Sequence, residues 1–210
     1  MGLQKRVCLS LIGITILIGS CIKLSQPSSK IEHFTLEYDA PQLADRTPLA
    51  HVIRVERFSV APEYNSDRIT YRDKSFKRDA YVYYRWRANP GDLITSFLVR
   101  DMKHSGLFKA VLSYDSRLPS SFLVEGTVDE FFEFDTEERW EAVLSVGITL
   151  MAEHEPESSR KILFQKSFHA RHPCARKHPR ALAEAMSEAM SAVSKDILET
   201  LHSFLKKHTK

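Results

Sequence analysis

Four side chains able to ligate a metal ion fall within ten residues: His169, His172, Cys174 and His178. Imidazole and thiolate are zinc ligands, yet the set does not read as a zinc site. Arg171, Arg176 and Lys177 stand among them and oppose a divalent cation, no carboxylate lies between Gln165 and Glu184, and the spacing fits no familiar zinc pattern. The segment reads as a solvated basic connector, and neither a metal nor any other cofactor is expected. Because Arg171, Arg176 and Lys177 precede a helix and offer charge together with hydrogen bonds, they are also candidate contacts for anionic lipid headgroups. Two acidic pairs, Asp129-Glu130 and Glu137-Glu138, have the residue types of the acid and base of glycosidic cleavage, which must stand about 5–10 Å apart. Spacing along the chain fixes no such distance, and the ordinary reading is the polar rim of a strand hairpin. No serine sits in a GxSxG elbow, and neither GxxxxGK[ST] nor GxGxxG occurs, so the backbone cradles that hold nucleotide phosphates are missing from the sequence. No catalytic residue emerges, and the chain reads as a non-enzyme.

One thiol does have a definite chemistry. Lys5 and Arg6 precede an uncharged, largely aliphatic run from Val7 to Ile22. A spanning helix needs about 20 apolar residues, so this shorter run reads as the h-region of an export signal. It closes on Ile18-Gly19-Ser20-Cys21, which resembles the bacterial lipobox: an aliphatic residue, two small ones that admit the peptidase, and a cysteine whose sulfur takes diacylglycerol. Cys8 sits beside the basic n-region and does not compete. Residues 1–20 are therefore expected to be a lipoprotein signal peptide, residues 21–30 a polar tether, and residues 31–210 the folded domain. Cleavage leaves 190 residues with 28 basic and 27 acidic side chains, and Cys174 as the lone thiol with no disulfide partner. Two or three acyl chains on Cys21 give stable anchoring where one does not. Ile22 stands where an Asp would mark inner-membrane retention, which in a diderm host implies sorting to the outer membrane, facing the periplasm.

The composition, 43% hydrophobic and 27% charged, is that of a globular protein, and a formal charge of +3 is too balanced for a dedicated nucleic-acid binder. Alternation predicts a strand through Phe34, Leu36 and Tyr38, another over His51 to Phe58, and a hairpin of Ser66 to Asp73 with Arg78 to Arg85. Asn89-Pro90-Gly91-Asp92 combines a cap, a first-turn proline and an acid at the positive end of the helix dipole, so a helix is expected from Pro90 to His104, closed by Gly106. Strands are expected over Leu107 to Tyr114, over Phe122 to Phe134 with every second residue on one face, through Ala142 to Leu150, and over Arg160 to Ala170. Together these read as an antiparallel meander. From Pro179 the series Leu182, Met186, Ala189, Val193, Ile197, Leu201 and Phe204 marks a long amphipathic helix. The fold class is α/β or α+β: one domain, a mixed and largely antiparallel sheet packed by two main helices, the C-terminal one long.

Tyr84-Arg85-Trp86-Arg87-Ala88-Asn89-Pro90, then His104-Ser105-Gly106-Leu107-Phe108-Lys109-Ala110-Val111, carry a resemblance. So do Phe34-Thr35-Leu36, Asp67-Arg68-Ile69-Thr70-Tyr71-Arg72, Phe122-Leu123-Val124-Glu125-Gly126-Thr127-Val128 and the Ala-rich terminal helix. In this order, behind a lipobox, they resemble the auxiliary lipoprotein family of ABC-type transport systems, the PqiC-like lipoproteins. Arg87 and Asn89 depart from the small and acidic residues more usual there. The resemblance implies a non-enzymatic outer-membrane component that docks the periplasmic conduit of a mammalian-cell-entry (MCE) system moving phospholipid or a related lipid. Its partners would be an MCE-type periplasmic protein with an inner-membrane permease and ATPase, and the chain could form a homo-oligomer. Trp86, Arg87 and Tyr83 are the candidate partner interface, since aromatics and arginine are enriched at interface cores. Two alternatives remain open: a structural or assembly lipoprotein of the outer membrane, and a tethered envelope hydrolase.

Overall fold

The computed structural model describes residues 30–44 and 46–208; the signal, Cys21 and the tether through Ser29 lie outside the described residues. The capped sequence at Asn89 forms a helix over the expected range. Helix α1 runs Pro90–His104, the Asn89 side chain accepts a hydrogen bond from the Gly91 amide at 2.9 Å, and Gly106 adopts φ +62° just past its end. A single helical turn, α2, covers Ser158–Lys161. Helix α3, Pro179–His208, is 30 residues long, about 45 Å at 1.5 Å per residue. Among the described residues no helix is long and apolar enough to cross a membrane.

Nine strands of the described residues form one sheet: β1 (Glu32–Phe34), β2 (Leu49–Val55), β3 (Ser59–Val60), β4 (Arg68–Arg72), β5 (Arg78–Trp86), β6 (Phe108–Ser113), β7 (Phe122–Asp135), β8 (Trp140–Ala152) and β9 (Ile162–Pro173). The 14-residue β7 organises it. On one side it pairs antiparallel with β8, and β8 with β9, the longest registers in the sheet. On the other side three short strands share its edge in turn, all parallel to it: β2 against Phe122 to Val124, β3 against Thr127 and Val128, and β4 against Glu133 and Phe134. The sheet therefore forks, with β6 outside β2 at one end of β7, and β5 then β1 outside β4 at the other. The meander holds for β7, β8 and β9, but not for β6, which pairs in parallel with β2.

Two irregularities change which side chains face inward. Val128 pairs with Val146 but Glu130 with Ser145, so Asp129 is an extra residue that reverses the alternation of β7. Strict alternation would put Phe122 through Phe134 on one face. Instead Phe131 takes over the helix-covered face and packs edge-on to Trp86 at 5.0 Å, while Phe132 turns to the opposite face and stacks on Tyr64 at 5.8 Å. In the β4–β5 hairpin Thr70 faces Ala80 but Arg68 faces Arg85, so three extra residues bulge from β5. The first strand is also shorter than alternation suggests, since only Glu32–Phe34 finds a ladder partner. Leu36 nonetheless lies in the core, as do Leu182, Met186, Ala189, Val193, Ile197 and Leu201 of α3, which crosses β8 and β9 and reaches β1 and β2. Phe58 closes over Gly126, where any Cβ would fall 2.3 Å from its ring, so only glycine lets β7 pass beneath it.

Candidate interaction surface

One end of the sheet collects most of the residues singled out in the sequence. β4 runs parallel to β7, so the β4–β5 turn lies at the same end as the β7–β8 turn, and Pro173 at the end of β9 pairs with Glu141 there too. Between the two hairpins opens a cavity of about 300 Å³, lined among others by Tyr71, Lys77, Asp79, Asp135, Trp140 and Lys177. Lys177 bonds both carboxylate oxygens of Asp135, at 2.7 and 2.9 Å, and Trp140 Nε1 donates to the same carboxylate. Tyr71 in its wall begins an aromatic cluster in which Tyr71 and Tyr81 lie 5.1 Å apart, Tyr81 and Tyr84 5.7 Å, and Tyr84 and His178 6.3 Å.

Beneath the cluster lies Glu133, only 2% exposed. Burial pushes its carboxyl up to about 6, against the hydrogen bond from Tyr81, whose hydroxyl donates to Oε2 at 3.1 Å. Tyr81 is in turn raised well above the usual phenol range by its own burial and by the Glu133 charge. Cys174 is half-buried nearby, its thiol raised to about 12 by burial first and by Glu133 second. A thiol held protonated is a weak nucleophile. These residues make a polar, aromatic support for the hairpin end.

The basic segment is half strand and half connector, because the strand expected to end at Ala170 runs on to Pro173 and takes in residues read as connector. His169 to Pro173 belong to β9, because Phe168 and Ala170 pair into the sheet and carry their neighbours with them. His169 and His172 are three positions apart on that strand and so point to opposite faces. Arg171 reaches Glu141 at 3.7 Å and Lys177 is held by Asp135, while Arg176 is exposed on the connector. All three stand at the hairpin end. Of the acidic pairs, Glu137-Glu138 does form the rim of the β7–β8 hairpin, with Glu138 3.5 Å from Lys74. Asp129-Glu130 instead sits within β7, with Glu130 paired to Arg72 at 3.4 Å.

Of the candidate interface residues, Trp86 is 1% exposed and belongs to the core, where Phe131 covers its ring. Its amide donates to the Asp67 carbonyl at 2.7 Å, and that of Arg87 to the Phe34 carbonyl at 2.7 Å. Trp86 is thus a support from which the exposed Tyr83 and Arg87 are displayed. The Glu133–Tyr81 pair does not stand out in the sequence. Its one local sign is Phe131-Phe132, two large apolar residues in a row that break an alternating strand and force a shift of face.

The comparisons agree with this architecture. Over residues 34–198 the sequence matches the family described as ABC-type transport auxiliary lipoprotein component. The curated proteins contain no match. Protein XCC0632 from Xanthomonas campestris superposes with a TM-score of 0.75 at 16% identity, covering 84% of this chain and 97% of that one. A second solved structure, of an uncharacterized protein, gives 0.62 at 12% identity over 82% and 99% of the two chains. CT253 from Chlamydia trachomatis gives 0.50 at 11% over 75% and 98%. At such identities the likeness concerns the fold. The sequence match spans nearly all of the sheet and most of α3, and on that ground the chain belongs to the family of ABC-type transport auxiliary lipoproteins.

Proposed function

We propose that the chain is a non-enzymatic lipoprotein of the outer membrane, acylated on Cys21 and facing the periplasm, that docks the periplasmic conduit of an MCE-type ABC system moving phospholipid or a related lipid. The observation that carries this is the family match over the folded residues behind a lipobox at Cys21. The energy would come from an inner-membrane ATPase and permease, since this sequence holds no phosphate cradle of its own. Tyr83 and Arg87 form the proposed docking edge, set on the buried Trp86. Arg176, with Arg171 and Lys177 behind their acidic partners, is the proposed place for anionic headgroups. Docking is tested by co-purification of the detergent-solubilised protein with the transport subunit encoded beside it. Wild type should capture that subunit and Arg87→Glu should capture several-fold less. No capture by wild type, with unchanged envelope lipid transport in a deletion strain, moves the reading to a structural lipoprotein.

A further inference from the structure

The β4–β5 hairpin ends in Asp73-Lys74-Ser75-Phe76-Lys77, and at its tip the Phe76 side chain is wholly exposed. Exposure of a phenylalanine to this degree contributes nothing to the fold, and it is not isolated. The three-residue bulge in β5 turns Val82 out to 69% exposure, and Ile31, one residue before the rung that pairs Glu32 with Tyr84, is 44% exposed. Because β1 is parallel to β5, the first residue of β1 pairs with Tyr84, at the end of their ladder nearer the tip. Ten residues separate Cys21 from Ile31, a reach of at most about 33–36 Å. From the Tyr84 rung to Phe76 is eight residues, at most about 26 Å, and less because three residues of β5 bulge. The reach of the residues between Cys21 and Ile31 thus exceeds the length of chain from the rung to the tip.

We propose that Phe76 inserts into the interfacial layer of the same bilayer that holds the acylated Cys21, giving the domain a second membrane contact and a fixed orientation; this rests on the anchoring read at Cys21. Lys74 pairs with Glu138 at 3.5 Å and Arg78 with Glu63 at 3.4 Å, and Lys77 follows Phe76 directly, so the contact joins an apolar ring to basic side chains that suit the headgroup layer. One aromatic ring is a weak membrane ligand by itself. Beside an anchor it acts at high local concentration, enough to select one orientation without adding much to binding.

The experiment uses the full-length acylated protein in phosphatidylethanolamine and phosphatidylglycerol vesicles doped with brominated phosphatidylcholine, and reads tryptophan quenching above the wild-type background. Phe76→Trp reports the tip. Leu118→Trp, at a 63%-exposed position in the loop before β7 and hence at the opposite end of that strand, is the control. Phe76→Trp emission should be quenched at least twofold more than that of Leu118→Trp. Equal quenching in a chain whose intact mass carries the lipid overturns the proposal and leaves the anchor standing. A mass without lipid brings down the anchor reading, and the proposal with it. A Phe76→Trp spectrum that shifts with protein concentration in detergent, without lipid quenching, assigns the tip to a second copy and also overturns it.

Discussion

The ground beneath α3 and the outer edge of β5 use the same kinds of side chain to different ends. Under α3, Met186, Ile197 and Leu201 are fully removed from water, in one core with Leu144, Val146 and Leu150 of β8. Along β5 and its turn, Phe76, Val82 and Tyr83 stand in water, Phe76 at the tip of the turn and Val82 and Tyr83 where a bulge takes them out of the β4 ladder. The first region repays the entropy of folding through apolar burial. The second gains little from burial, and its apolar groups are the ones the proposals assign to contacts outside the chain. Trp86 marks the boundary, since it ends the same strand yet belongs wholly to the core.

That division has measurable consequences, the largest at Trp86. Trp86→Ala should lower unfolding stability by about 3–5 kcal/mol in urea titration, whereas Arg87→Ala should stay within about 0.5 kcal/mol. A mild effect at Trp86 would erase the boundary. Leu201→Ala should cost about 2–5 kcal/mol, and Phe76→Ser, made in the same background, less than about 0.5 kcal/mol.

Glu133 lies under the hairpin end and gives the contrast a pH axis. Its carboxyl titrates at about 6 in the fold against an ordinary 4.5. Its contribution is therefore fully present below about pH 4.5 and is lost as pH rises through about 6, a difference of about 2 kcal/mol. Glu133→Gln should flatten that segment of the stability profile and be more stable than wild type above about pH 7. A wild-type profile already flat between about pH 4.5 and 7 would show that the carboxylate is better solvated than its burial implies. The smallest expected effect is at the basic segment, where elemental analysis of purified protein should find no stoichiometric zinc. One equivalent of zinc, lost in His172→Ala, would reverse that expectation.

Local chemistry made the two long helices legible from sequence, though not the single turn at Ser158–Lys161. Asn89, Pro90 and Gly106 act on the backbone within one turn of themselves, and the stripe from Leu182 to Leu201 needs only the helical period. The branching of the sheet was not legible, because placing β2, β3 and β4 side by side along β7 depends on contacts far apart in sequence. The bulges were hidden for a related reason. A single added residue such as Asp129 leaves only an indirect trace, the consecutive Phe131 and Phe132, yet it exchanges the faces of every residue after it. That shift brought Glu133 under the tyrosines and hid it from a reading by alternation. It also explains the division among the candidate interface residues, since Phe131, turned inward by the bulge, is what buries Trp86.

Both the docking role and the membrane contact of the hairpin depend on the cysteine that ends the lipobox. Metabolic labelling with palmitate, read on wild type and Cys21→Ala in parallel with membrane fractionation, tests it most directly. Wild type should carry label and sediment with membranes, while Cys21→Ala should lose both and keep a folded domain, because the modified residue precedes the first strand, which begins at Glu32. Label retained by Cys21→Ala, or absent from wild type, would contradict the account.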